Sequence, residues 1–452
     1  MTYPGYPEYK DSGVEWLGEV PAHWMVSRLK FFGDLITGIT PPSEDLTNYT
    51  EAGWPWIRPD DLDDQGKPVK ASKFLTEQGW AYCRPVGAGS TLVCCIGSIG
   101  KLGYTQELAC TNQQVTAIQA FVEARYLFYL VYASKQELDQ RATGNVLRIL
   151  NAERLGNVPA VMPPTYESAQ IATFLDYETA RIDTLVEEQK RLIALLKEKR
   201  QAVISYAVTK GLDPEVPMID SGVEWLREVP EHWGVRGLTK LIGPVVDYRG
   251  RTPTKVDDGV FLVTARNIRN GRIDYEISKE YVTPESVKSL LQRGKPEIGD
   301  LLFTMEAPLG QVALIDRTDI ALAQRIVKFR AVKGLMINTY LMYWLMSTGC
   351  QSRMETLATG STALGIKASK LGMIECPVPP VTEQIEIVNL IERESSKHDI
   401  LLAEAQTNID LLRERRSALI SAAVTGKIDV RGWQPPASSA GATVEATQME
   451  AV

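Results

Sequence analysis

A chain of 452 residues, 44% apolar and 23% charged, can form two or three domains with cores of their own. It contains no run of 18 apolar residues, and Met1 to Gly13 is polar and rich in Pro and Tyr; a membrane span and a secretory signal are both disfavoured, and a cytoplasmic protein is expected. The net charge of −7 does not exclude nucleic acid, because residues 1–160 carry 14 basic and 18 acidic side chains while residues 217–378 carry 21 and 18.

In chain order, the first distinctive segment is Asp11–Trp24 (DSGVEWLGEVPAHW). It returns as Asp220–Trp233 (DSGVEWLREVPEHW), identical at twelve of fourteen positions, so the chain is a tandem duplication. His23 and His232, each beside a Trp in this Pro-containing segment, read as structural rather than catalytic. The cysteines (Cys83, Cys94, Cys95, Cys110, Cys350 and Cys376) form no CxxC pair, and only three histidines could complete a metal set. Buried thiols in a reducing compartment are expected, with no metal site.

A stretch of mixed texture follows each copy. Ser90–Ile96 and Asp300–Met305 are short β-rich runs, each followed by a Gly-containing turn (Gly97-Ser-Ile-Gly-Lys101 and Pro308-Leu-Gly-Gln311). Val115–Ile118 and Ile326–Phe329 predict further strands, and Tyr126–Leu138 and Thr339–Met354 predict amphipathic helices. The loops align in kind and differ in letters: Thr37–Pro42 with Tyr248–Pro253, Trp56–Asp60 with Val263–Asn267, and Ala142–Gly144 with Ala358–Gly360.

After Pro163-Pro164, through Thr209, the chain has no Gly or Pro, and apolar residues recur at Ile171, Leu175, Ile182, Leu185, Leu192, Leu196 and Val203. That period predicts a helix packing along a seam, about 66 Å long at 1.5 Å per residue. A second such run follows Pro379-Pro380. Leu196–Thr209 (LKEKRQAVISYAVT) and Leu412–Thr425 (LRERRSALISAAVT) match across an offset of 216. Beyond Gly432 the chain lacks a hydrophobic period, and residues 433–452 are expected to be a disordered tail.

Several catalytic motifs are approached and missed. Gly97-Ser-Ile-Gly-Lys101 lacks the spacing of a phosphate-binding loop, and Leu102 stands where a metal-binding hydroxyl would be. Pro163-Pro-Thr-Tyr166 follows Met162 rather than the Asn or Asp of an amino-methyltransferase motif. Asp60, Asp64 and Lys67 lack the spacing of a nuclease set. What remains is polar loop equipment suited to base edges, since Arg bonds guanine and Asn or Gln bonds adenine in a bidentate way. The DNA-contact candidates are Arg58, Lys73, Ser98, Lys101, Asn112, Gln113, Gln114 and Arg148 in the first copy. In the second they are Arg249, Arg251, Thr254, Lys255, Arg266, Asn267, Arg269, Gln311, Gln324, Arg325 and Lys367.

The duplicated Val-Glu-Trp-Leu-x-Glu-Val-Pro-x-His-Trp, the Gly-x-Thr-Pro loops, Gly97–Lys101, and Pro-Pro-x-x-Glu ahead of each long helix (Glu167 and Glu383) resemble the specificity (S, HsdS) subunits of type I restriction–modification enzymes. The resemblance covers all but the last twenty or so residues. It departs where Glu167-Ser168 replaces the usual Glu-Gln, kept as Glu383-Gln384, and where Pro308-Leu-Gly replaces Gly-Ser-Ile-Gly.

It implies an α+β fold with pseudo-two-fold repeat: two mixed α/β target-recognition domains joined by two long helices in an antiparallel coiled coil. The expected boundaries are 1–162 and 218–378 for the recognition domains and 163–217 and 379–432 for the helices. The expected seam comprises Ile171, Leu175, Glu178, Ile182, Leu185 and Lys199 with Ile387, Ile391, Glu394, Leu401, Leu412 and Arg415. Its register would set Glu178 beside Arg415 and Lys199 beside Glu394. The resemblance further implies a non-catalytic subunit reading a split, asymmetric DNA site. Two modification subunits, which bind S-adenosylmethionine and methylate adenine, and two motor/nuclease subunits would be its partners, with no cofactor on this chain.

Overall fold

The computed structural model describes residues 3–248, 253–323, 325–360 and 364–436. It divides into two compact units. One holds residues 1–189 and 408–452, and the other holds residues 190–407. Each unit thus takes its globular part from one repeat and its helical part from both.

In the first unit, an antiparallel sheet orders Gly33–Thr37, Val115–Ala120, Thr91–Cys94 and Leu102–Tyr104. The β-rich run around Val93 is its central strand and is buried on both faces. Side chains alternate across a strand. Leu92 and Cys94 therefore enter a small core with Ile57, Val86 and Val115, while Val93 and Cys95 enter the larger core. The larger core holds the helix Ala124–Ala133, whose residues Tyr126 to Val131 are all buried, together with Trp24, Phe32, Phe174 and Ile420. A second sheet contains Trp54–Ile57 and Cys110–Thr111 in parallel pairing. Met25–Arg28 pairs with Pro159–Met162 and so leads the chain into its first long helix.

The second unit repeats this order with Val246–Asp247, Ile326–Phe329, Leu301–Thr304 and Val312–Leu314. Its second sheet pairs Val260–Val263 in parallel with Ile320–Leu322. Gly234–Gly237 pairs with Glu375–Val378 ahead of the second long helix.

The long helices run Thr165–Lys210 (46 residues) and Val381–Val424 (44 residues). In the first unit, Gln170 donates to the Trp433 carbonyl at 2.6 Å and Asp183 pairs with Arg416 at 3.2 Å. Ile171 and Leu175 share a core with Ile420, Ala423 and Val424, while Asp183, further along the first helix, meets Arg416, earlier in the second, so the pairing is antiparallel. The expected register needs correction. Glu178 bonds Arg181 on its own helix, and Glu394 bonds Arg393 and Lys397 on its own. Leu185, Lys199, Leu401 and Arg415 are exposed, whereas Val186, Leu196, Arg200, Leu402 and Arg416 are buried or half-buried. Ile171, Leu175, Glu178, Ile182, Ile387 and Ile391 are buried, and Glu394 and Leu412 are half-buried.

The cause is a drift. A straight α-helix slips about 20° per heptad from a strict seven-residue repeat, whereas eleven residues close three turns. The covered line accordingly runs Ile171, Ile182, Ile193, Ile204 on one helix and Ile387, His398, Ile409, Ile420 on the other. The charged seam pairs are Asp183–Arg416 at 3.2 Å in the first unit and Asp399–Arg200 at 2.6 Å in the second. They are one pair seen twice, since Asp399 is Asp183 plus 216 and Arg416 is Arg200 plus 216.

Trp433, expected in the tail, packs on Phe174 and Tyr177. Residues 437–452 lie outside the described residues.

Candidate nucleic-acid interface

Each repeated segment is locked to a helix start. In the first unit the Glu167 side chain is fully buried in the first helical turn, where the helix dipole favours a carboxylate. It accepts from Trp24 Nε1 at 2.8 Å, Tyr6 Oη at 3.1 Å and Tyr166 Oη at 2.9 Å, and meets His23 Nε2 at 2.7 Å. Burial alone would raise its pKa, but the bonds from Trp24, His23 and Tyr166 outweigh it and hold the carboxyl below its usual range. In the second unit Glu383 accepts from Trp233 Nε1 at 3.0 Å and meets His232 Nε2 at 2.8 Å. The two histidines are structural, as their setting suggested. Sequence reasoning treated the Trp-rich segment and the Pro-Pro-x-x-Glu motif as separate features; their joint duplication was the signal that they touch.

The loops that carry the DNA-contact candidates gather at one end of each main sheet. In the first unit, the turn Gly97–Lys101 joins two strands, and Lys101 Nζ donates to the Pro59 carbonyl at 2.8 Å. That bond ties the turn to the loop of Arg58, whose Nη2 donates to Ser72 at 3.1 Å. The backbone N–H of Cys95 donates to the Gln114 carbonyl at 2.7 Å, and that of Leu150 to the Cys95 carbonyl at 2.8 Å. Three stretches distant in sequence thus form one edge. Ser98, Lys73 and Gln113 are exposed, with Gln113 accepting from the Thr40 hydroxyl. Gln114 is half-buried. Asn112 is buried and donates to Gln114 Oε1 at 3.0 Å, so it holds the loop and does not present an edge. Arg148 folds back onto Asp139 at 3.2 Å and the Ala142 carbonyl at 3.4 Å.

In the second unit, Arg249, Arg251 and Gln324 lie outside the described residues. Lys255, Arg266 and Arg325, drawn from three separate stretches, line one cavity of about 200 Å³ with Thr264, Glu280 and Ala307. Lys255 pairs with Glu280 at 2.9 Å and Arg325 with Glu306 at 3.5 Å. Arg325 has φ +69°, a left-handed backbone that bulky residues seldom adopt. Arg269, Thr254 and Lys367 are exposed and Gln311 is half-buried. Asn267 is buried, donates to the Asp274 and Ser278 carbonyls at 2.9 and 3.0 Å, and caps Thr264 N at 2.9 Å; it is a loop brace.

The backbone equivalences are now explicit. Met305 N donates to the Arg325 carbonyl at 3.0 Å and Ile366 N to the Met305 carbonyl at 3.0 Å, which places Met305 with Cys95 and Arg325 with Gln114. Asp61 caps Arg58 N at 2.9 Å as Asn267 caps Thr264 N. The loop alignment drawn from sequence was therefore one residue off: Asp60, not Pro59, occupies the place of Arg266. An acid in one unit stands where a base stands in the other.

Residues 21–194 and 246–406 match the family described as the type I restriction modification DNA specificity domain. The chain is similar to the EcoBI specificity subunit of Escherichia coli, 21% identical over 94% of this chain and 90% of that protein. It is also 20% identical to the EcoKI specificity subunit of Escherichia coli strain K12, over 92% and 91% of the two chains. Among solved structures it resembles a chain from a study of complex assembly and conformational transition of the type I restriction–modification system. The TM-score is 0.67 at 14% identity, covering 90% of this chain and 98% of that one.

Proposed function

Because the chain belongs to the type I restriction modification DNA specificity domain family, we propose that it reads a bipartite, asymmetric DNA site, one half with each unit. The observation that carries the reading is the pair of loop edges: the same sheet order and backbone bonds recur, while the side chains at the edges differ. Two edges of one build and different chemistry suit two different half-sites. Phosphate contacts supply salt-dependent affinity, and Arg and Gln side chains supply base discrimination.

On this reading the chain carries no catalytic centre. Modification subunits holding S-adenosylmethionine and methylating adenine, and motor/nuclease subunits, dock on it, two of each. Aliphatic side chains exposed on the long helices, such as Leu185, Leu195, Ile400 and Leu411, offer apolar surface for them. No helix among the described residues is long and apolar enough to cross a membrane.

Mapping adenine methylation in cells that express the chain with its modification subunit tests this. A split motif with two defined halves and an undefined gap is expected. A continuous motif, or methylation by the purified chain alone, would refute it.

A further inference from the structure

In the first unit, residues 142–150 form a small finger beside the reading turn. Its arms are Thr143 and Ile149, which exchange backbone bonds of 2.9 and 2.7 Å. Ile149 also bridges to Ile96, and Gly97 N donates to the Arg148 carbonyl at 3.0 Å, so the finger is stitched to the edge. Arg148 clamps its base by bonding Asp139 and the Ala142 carbonyl. Gly144 closes the tip at φ +106°, where a Cβ would lie 2.2 Å from the Leu147 carbonyl oxygen; the turn admits only glycine.

What this rigid mount presents is apolar. Val146 is fully exposed, and Leu147 and Ile149 are 54% and 42% exposed. Scattered exposed aliphatics need no explanation, but three in four residues on a braced tip, continuous with a DNA-reading edge, do. Beside the finger, Arg154 donates to the Thr143 hydroxyl, and Ser98 is exposed on the turn whose Gly97 bonds the Arg148 carbonyl. Apolar wedges on DNA-binding proteins enter base steps and unstack them, held there by neighbouring phosphate contacts.

We propose that Val146 and Leu147 form a wedge that unstacks a base step in the half-site read by the first unit. The proposal rests on the DNA-reading assignment above. The second unit supplies an internal control. Its Thr359 and Gly365 exchange the same pair of backbone bonds, with Gly360 at φ +119°, but the sequence places Thr362 and Ala363 where Val146 and Leu147 stand. The tip residues 361–363 lie outside the described residues.

The test uses the full complex with its modification subunits and duplexes carrying 2-aminopurine, walked through the mapped site at positions other than the methylated adenines. A several-fold fluorescence rise is expected at one step, in one half-site only, and Val146→Ser/Leu147→Ser should reduce it to background while DNA is still retarded. Retarded DNA with no brightening overturns the wedge and leaves the reading intact. Brightening that survives in the double variant, with modification subunits lost from the complex, overturns it in favour of a protein contact. A complex that retards no DNA defeats the reading itself.

Discussion

The two units share a main chain and differ in what it displays. In both, the strand before the reading turn, the loop that follows the parallel partner strand, and the finger are joined by backbone-to-backbone bonds. Such bonds constrain no side chain, so Asp60 can take the place that Arg266 holds in the other unit, Gln114 that of Arg325 and Ile96 that of Glu306 without altering the fold. Below the edge the opposite holds. The Glu–His–Trp lock and the Asp–Arg seam pair depend on side chains, and these recur letter for letter. Duplication has left free the positions proposed to read and held the positions that mount them.

The mounts themselves are unequal, which gives the largest expected effects. Glu167 is fully buried with four partners, whereas Glu383 is 21% exposed with two. Glu167→Ala should cost about 3 kcal/mol of stability and Glu383→Ala about 1–2 kcal/mol, read by denaturant titration. Equal losses would show that exposure does not separate the two locks. Next is the seam. Arg416 is 8% exposed, pairs in charge with Asp183, donates to the Gln65 carbonyl and lies over Tyr132, while Arg200 is 21% exposed. Arg416→Ala should destabilise by about 2–3 kcal/mol and Arg200→Ala by about 1 kcal/mol.

At the edges the contrast is in binding. Arg266→Ala should weaken DNA retention by the complex by about 1–3 kcal/mol and relax one base position. Asp60→Ala, at the equivalent place, should leave binding unchanged or tighten it. A loss from Asp60→Ala as large as that from Arg266→Ala would break the charge comparison. The smallest effect is in pH. Glu167 has a folded pKa below its unfolded value, so its contribution is fully present above the unfolded carboxyl range, about pH 4.3, and is lost as pH falls through the lower folded value. Glu167→Gln should flatten the acid limb of a stability–pH curve and leave the neutral plateau's slope unchanged.

Much of this was legible in the sequence, because duplication shows as letters and long gap-free periods show as helices. The two strands around Val93 and Phe303, the long helices and the family resemblance all rest on such signals. Two things were not. The seam register was read as heptads, but the drift of an α-helix has moved the buried line from Leu185 to Val186 about four turns after Ile171, and the isoleucines at eleven-residue spacing carried the better period. The loop alignment slipped by one residue because loops have no period to hold it, and only the shared caps of Asp61 and Asn267 fix it. Asn112 and Asn267 look like base readers in sequence and are braces in the fold; a polar side chain does not announce which way it points.

The central claim is that each unit reads its own half-site. The direct measurement is selection of bound duplexes from a random pool by the complex, with the native chain and with Arg266→Gln/Arg325→Gln. The account predicts that the selected bases change in one half of the motif, with the other half and the gap retained. Loss or change of both halves together would contradict it.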